Sequence, residues 1–395
     1  MAKIRIPGFQ FAGVRCGLKK GTRRDLALIF SEHPATAAAL FTKNRVRAAP
    51  VLVGMKRMRH RRVQAVIANS GNANACTGVR GMRDAETMCR EVAVQLKIDP
   101  DLVIPSSTGV IGVPLPIHKI KAGIKEAASR LSPNGLKDAA VAILTTDRSS
   151  KISITRCALR GAEVVVGGLA KGAGMIAPNM ATMLAYILTD ATVPSSCLKR
   201  ILSRAVDETF HCITVDGDTS TNDTVLFLAN GATRNPAVAP GSREERALFT
   251  AVKQVMKDLA VKMVQDGEGG TKTVAIQVEG ARSSAEAKKV AFTVAKSQLV
   301  KTAFFGADPN FGRIMAAIGY AGVPINPERI TVTFDGVAVV KKGVGILTTE
   351  RAAARVLRRS SFSVKIHLHQ GNKSAHVWTP DLTHEYVRIN SSYRT

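Results

Sequence analysis

Apolar positions along this chain follow two spacings. Short apolar runs of strand length alternate with segments in which apolar pairs recur at helical spacing. Val63 to Ala68 is such a run, and it ends at Asn69-Ser70-Gly71-Asn72-Ala73-Asn74. That pattern predicts a buried strand leading into a polar, turn-forming loop. Ala85 to Leu96 and Lys119 to Leu131 read as helices. Glu163 to Val166 reads as a strand that opens into a glycine-rich loop, Gly167 to Gly174. The clearest helix starts at Ser242, with Glu245 at capping-box spacing. Its apolar pairs are Ala247/Leu248, Ala251/Val252, Val255/Met256, Leu259/Ala260 and Met263/Val264. It stops at Asp266-Gly267-Glu268-Gly269-Gly270, where glycine can take a positive φ. Thr273 to Val278 then reads as a strand, so Glu268 falls in a tight loop between helix and strand. Ser284 to Val300 is predicted helical, and a loop follows from Gly306 to Gly312. Phe362 to His369 alternates like a half-buried strand, with His367 and His369 on one face. The alternation of strands and helices predicts an α/β or α+β fold.

Composition narrows the class. The chain has 395 residues, 45% hydrophobic and 22% charged, as in globular enzymes with a substantial core. No stretch of about 18 uncharged apolar residues occurs, and the N-terminal residues show no apolar signal-peptide core. The six cysteines are scattered, with no C-x-x-C pair and no zinc spacing. Reduced thiols in a cytoplasmic protein is the expectation. His367 and His369 lack a third ligand nearby, so packing outweighs metal binding. Charge is the unusual feature: 56 Lys and Arg against 30 Asp and Glu give a net charge of +26. The basic runs are dispersed and aromatics are only 5%. A solvated surface therefore outweighs nucleic-acid binding, and no membrane partner is expected.

Several segments carry candidate chemistry. Ala177-Pro178-Asn179-Met180-Ala181-Thr182-Met183 places one hydroxyl inside an apolar run, and by pattern alone Thr182 is a buried strand threonine. Gly167 to Gly174 holds Lys171 among glycines, but Gly172 follows the lysine where a phosphate-binding loop needs Ser or Thr. A flexible loop that brings one ammonium to a small ligand is the better reading. Thr108-Gly109 pairs a hydroxyl with a glycine N–H that can approach a substrate closely, as in an oxyanion hole. Asp216 to Asp223 packs three carboxylates into eight residues without EF-hand spacing, so a hydrogen-bonded turn network is expected.

Taken together, the chain resembles the ornithine acetyltransferase family of arginine biosynthesis, often bifunctional as glutamate N-acetyltransferase. The resemblance covers nearly the whole chain. It rests on Gly8-Phe9, Ala48-Ala49-Pro50-Val51, Ala68 to Gly78, Ser107 to Gly112, Thr145-Thr146-Asp147 and Lys171 to Asp190. It continues through Ile213 to Asp223, Asp266-Gly267-Glu268, Asp308 to Arg313 and Tyr393-Arg394-Thr395. Gly-Ala-Gly at 172–174, Gly270 and Phe311 depart from residues more common in the family.

The resemblance implies a layered αββα core of the N-terminal-nucleophile type with an added C-terminal domain. It implies self-cleavage between Ala181 and Thr182 into chains 1–181 and 182–395, typically two of each in the assembly. The C-terminal domain is expected over 281–395, after a first part of the second chain at 182–280. Thr182 matches the nucleophile, and Thr108 and Gly109 the oxyanion hole. Thr145 or Thr146, Lys171, Glu268, Asn390 and Thr395 match substrate-binding positions, with Thr145 preferred. No cofactor or metal is implied, and acetyl-CoA stays open as a second acyl donor.

The chemistry is coherent. A threonine hydroxyl needs a base, and an N-terminal threonine carries one in an amine of pKa about 7.7–8.0. Before cleavage that nitrogen is an amide, so cleavage is the activating step. An N-terminal-nucleophile aminopeptidase or amidase that hydrolyses the acyl-threonine and a basic nucleic-acid-binding protein are the alternatives.

Overall fold

The computed structural model describes residues 5–177 and 183–392. The chain divides into two compact units. One comprises residues up to His211 together with Asp218–Met263, and the other comprises Cys212–Gly217 and the residues from Val264 onward.

The first unit is built on eight strands: β1 (Phe9–Val14), β2 (Leu26–Phe41), β3 (Arg62–Asn72), β4 (Val103–Val110), β5 (Lys151–Leu159), β6 (Ala162–Lys171), β7 (Leu184–Thr189) and β8 (Thr224–Ala229). They run in the order β4-β3-β2-β8-β7-β6-β5, and β1 also pairs with β2. β2 is long enough to serve two neighbours in turn. Its first half pairs with β1 and its second half with β8. Between these halves five steps along β2, Phe30 to Ala35, match two along β3. Pro34 lies in this irregular stretch, where its missing N–H takes nothing from the ladder.

Strand alternation sends the two faces of β2 into different cores. Ala27 and Ile29 join Phe11, Val66, Leu169, Tyr186, Leu188 and Leu226, so residues of β1–β3 and of β6–β8 fill one interior. Leu26 and Leu28 point the other way, onto Met88, Val92, Ile120 and Ile124 of the helices Gly78–Leu96 and Ile117–Ser129. The helix Arg243–Gln265 covers β6 from outside, with Leu259 beside Gly168. The helix Ser195–Asp207 packs on β2 and β8. The layers therefore run helix, strand, strand, helix, as the resemblance implies.

The second unit has a six-stranded sheet made of β9 (Thr273–Ala281), β10 (Thr331–Phe334), β11 (Val337–Lys341), β12 (Val344–Gly345), β13 (Ser361–His367) and β14 (Lys373–Pro380). The order is β12-β11-β10-β13-β9-β14, with β9 and β13 parallel. Val274, Ile276 and Val278 of β9 share a core with Val290, Val294, Val364 and Ile366. This moves the sequence-based boundary. A domain starting at 281 would cut β9 from its partners β13 and β14, and the compact unit takes the residues from Val264 onward together with Cys212–Gly217. The chain boundary at 181/182 lies outside the described residues.

Three further expectations change. The glycine-rich segment is strand rather than flexible loop as far as Lys171. A Cβ on Gly167 would sit 2.6 Å from Ile6 Cδ1, and one on Gly168 would sit 2.9 Å from Ile187 Cδ1. These glycines permit close packing, a different use of the same residue type. Ser284 to Val300 is two helices, Ser284–Lys296 and Gln298–Phe305, because the Ser297 hydroxyl caps a fresh start by accepting from the Val300 amide. β13 ends at His367, and His369 stands beyond it at φ 53°, with its ring 3.8 Å from that of His367. No helix among the described residues is long and apolar enough to cross a membrane.

Candidate active site

β3 and β4 run parallel, with Ser70 opposite Thr108 and Gly71 opposite Gly109. Gly109 has φ +135°, and a Cβ there would lie 2.4 Å from the carbonyl carbon of Gly71 and 2.5 Å from the Asn72 nitrogen. Only glycine fits such an approach between two backbones. Thr108 is buried, and its Oγ1 accepts a 2.9 Å hydrogen bond from the Lys171 ammonium. An ammonium can only donate, so the proton on the Thr108 hydroxyl is turned toward some other acceptor. A positively charged donor on the oxygen also makes that hydroxyl a stronger donor in turn.

Lys171 closes β6 and is 2% exposed. Lys151, at the start of β5, is buried as deeply and faces Ala170 across the hairpin. The carboxylate between them is Asp147, whose side chain has no exposure. Its Oδ1 accepts from Lys151 Nζ at 2.6 Å and from the Gly172 amide at 2.8 Å, and its Oδ2 accepts from the Thr145 amide at 3.0 Å. Burial by itself would raise the Asp147 pKa. The Lys171 and Lys151 charges and these hydrogen bonds prevail and hold it down, at about 2. Thr145 is thus fastened at its backbone, with its side chain half-buried. Lys19 lies close by and is lowered to about 8, through burial first and then through repulsion by Arg23 and Lys171, against the opposing pull of Asp25.

The turn network expected at 216–223 is present. Asn222 Nδ2 donates to the Ala73 carbonyl at 2.7 Å and to the Ser107 carbonyl at 2.8 Å. Asp223 Oδ1 accepts from the Met183 amide at 3.0 Å. Full burial pushes the Asp223 carboxyl well above the usual range, although the Met183 amide and the Lys171 charge oppose it.

Within the second unit, Glu268 occupies the loop between the helix Arg243–Gln265 and β9, as expected. It is 8% exposed, and its Oε2 accepts from Asn390 Nδ2 at 2.8 Å. Asn390 comes from the helix His384–Ser391. Two residues predicted 122 positions apart are therefore partners. Gly269 shapes the loop: it has φ +67°, and a Cβ there would lie 2.3 Å from the Tyr386 nitrogen.

Thr108, Gly109, Thr145 and Lys171 thus stand in the first unit, and Glu268 and Asn390 in the second. Ala181, Thr182 and Thr395 lie outside the described residues. Sequence reasoning missed the tasks of Asp147, Lys151, Asn222 and Asp223. The only signal was that Asp147, Asn222 and Asp223 sit inside motifs that also supply assigned residues. Among the described residues no cluster of His, Cys, Asp and Glu could hold a metal ion.

Known proteins match this chain in sequence over nearly its whole length. The model of the ArgJ family covers residues 10–395. The chain belongs to the ArgJ family. The arginine biosynthesis bifunctional protein ArgJ of Geobacter sulfurreducens is 47% identical over 99% of this chain and 100% of its own length. That of Symbiobacterium thermophilum is 48% identical over 98% of this chain and 97% of its own. The crystal structure of the ArgJ bifunctional protein of Bacillus halodurans aligns with a TM-score of 0.51 at 39% identity. It covers 53% of this chain and 98% of the solved chain. The ArgJ model spans every segment singled out by sequence except Gly8-Phe9.

Proposed function

We propose that the chain transfers acetyl groups from N-acetylornithine to glutamate through an acetyl-threonine on Thr182, after cutting itself between Ala181 and Thr182. It is an acyltransferase of arginine biosynthesis. The observation that carries the mechanism is the Lys171–Thr108 hydrogen bond beside Gly109, a charged donor backing a hydroxyl next to a glycine that lies close against the Gly71–Asn72 backbone.

In the cut, the Thr182 hydroxyl attacks the Ala181 carbonyl and the C–N bond breaks as an ester forms. Water then releases Ala181 as a carboxylate and leaves Thr182 with a free amine. In the first transfer, that amine takes the hydroxyl proton as Oγ1 attacks the acetyl carbonyl. The proton passes to the departing nitrogen, and ornithine leaves. In the second, the amine of glutamate attacks the acetyl ester and N-acetylglutamate leaves. The Thr108 hydroxyl and the Gly109 N–H meet the developing oxyanion each time, and loss of one such donor typically costs about 2.7–4 kcal/mol of barrier. Lys171 pairs with a substrate carboxylate and Glu268, held by Asn390, with an ammonium, while Thr145 and Thr395 complete substrate binding. The Bacillus halodurans chain, about half as long as this one, has a length that a cleaved product would have, which supports the self-cutting reading. Two copies of each product are the proposed assembly. Acetyl-CoA is a candidate second donor, in line with the bifunctional names of the relatives.

The test is acetyl exchange. Purified protein with N-acetylornithine and isotopically labelled ornithine, without glutamate, is expected to form labelled N-acetylornithine. An absence of exchange until glutamate is added would rule out the acyl-enzyme. Net release of acetate would favour an amidase.

A further inference from the structure

Asn222 and Asp223 are adjacent in sequence, buried, and bonded in two directions. Asn222 spends both of its amide hydrogens on the carbonyls of Ala73 and Ser107, while its Oδ1 accepts from the Thr221 hydroxyl at 2.6 Å. Ser107 is the residue before Thr108, so one arm fixes the strand that carries the oxyanion donors. Asp223 Oδ1 holds the Met183 N–H, and the Thr224 amide donates to the Met183 carbonyl at 3.1 Å. Met183 follows Thr182 directly, so the other arm fixes the chain that carries the nucleophile. The base of the pair is anchored too: the Thr42 amide donates to the Asp223 carbonyl at 3.0 Å, and Asn222 N–H donates to Ser220 Oγ at 3.0 Å.

We propose that Asn222 and Asp223 form one positioning device that sets the spacing between the Thr108–Gly109 backbone and the chain entering Met183. The device rests on the acyl-threonine reading. Its value lies in geometry, since a misplacement of about 1 Å at a reacting centre costs on the order of 10²-fold in rate. The Asp223 carboxyl acts through Oδ1, which accepts the Met183 N–H. Its Oδ2 is fully buried beside the Ser220 and Thr42 hydroxyls, and the Thr42 hydroxyl donates to the Ser220 carbonyl at 2.7 Å. A buried charge on that oxygen would be costly. Burial pushes the Asp223 carboxyl well above the usual carboxylate range, with the Met183 amide and the Lys171 charge opposing it.

The experiment compares the full-length parent with Asp223→Ala, Asp223→Asn and Asn222→Ala. For each, the rate of self-cleavage, kcat and KM for N-acetylornithine, the pH profile and Tm are measured. Asp223→Ala and Asn222→Ala are expected to slow cleavage and lower kcat by about 10²-fold, with KM within about threefold of the parent. Asp223→Asn keeps the oxygen that receives the Met183 amide, so it is expected to recover to within about tenfold of the parent with the pH profile unmoved. A merely structural role would lower Tm without this split between kcat and KM. If Asp223→Ala does not fold, Asn222→Ala and Asp223→Asn carry the comparison. Parent-like cleavage and kcat in the alanine variants would overturn the device. So would Asp223→Asn being as slow as Asp223→Ala with an altered pH profile, because the carboxylate would then be handling a proton. With the parent active, these failures sink this inference alone. A parent that neither cuts nor transfers sinks the acyl-threonine reading and the device together.

Discussion

Asp147 has no surface over which to spread its charge, and two buried lysines stand in for water around it. Its carboxylate also fastens the Thr145 and Gly172 amides, so one side chain holds two segments that carry candidate substrate contacts. Asp147→Asn keeps the shape and removes the charge, leaving Lys151 and Lys171 uncompensated. The Asp147 pKa is lower in the folded chain, about 2 against 3.8, so its stabilisation is complete above about pH 4 and is lost as pH falls toward 2. Urea midpoints should put Asp147→Asn below the parent by roughly 2 kcal/mol at pH 7, with the gap narrowing below pH 4. A gap independent of pH would mean that the charge is not what matters. Thr108, Gly109 and Lys171 were singled out by resemblance to a family, and the fold brings Lys171 against Thr108. Asp147 was quoted within a motif, yet its task depends on Gly172, 25 positions away, and neither periodicity nor composition reports such a pairing.

Elements were legible where one local signal dominated. The helix Arg243–Gln265 follows its apolar pairs, and the Ser242 hydroxyl accepts from the Glu245 amide as the capping spacing implied. Elements misread were those in which tertiary packing reassigned a residue: the glycines of β6 serve close packing, and Ser297 caps a helix inside an apolar run. The helix Gln298–Phe305 also buries a cation that its pattern did not reveal. Lys301 Nζ donates to the Val215 carbonyl at 2.6 Å and to Thr379 Oγ1 at 3.0 Å. Burial lowers its pKa from 10.5 to about 7, against the pull of Asp216 and Asp381. Between those values the unfolded chain binds the extra proton, so stability rises with pH from about 7 to 10. In urea titrations the parent should gain on Lys301→Met by on the order of 1–3 kcal/mol from pH 7 to pH 9.5. Parallel curves would show that Lys301 keeps its proton when folded.

At the scale of the molecule, sequence alone conveyed a mixed α/β chain of more than one domain but misplaced where the second unit begins. β9 reads like any other amphipathic strand, and its membership of the second sheet is decided by β13, more than 80 positions downstream. The net charge of +26 is spread over dispersed runs that no described contact turns into a single surface feature. The central claim is covalent: a chain of 42.1 kDa becomes active by being cut once. Intact-protein mass spectrometry on freshly purified protein, with Thr182→Ala alongside, tests it most directly. The account predicts two fragments in the parent that meet between Ala181 and Thr182 and whose masses sum to the whole chain plus one water, with a single uncut chain in the variant. One uncut and catalytically active chain in the parent would contradict it, because the Thr182 nitrogen would still be an amide and could not serve as the base.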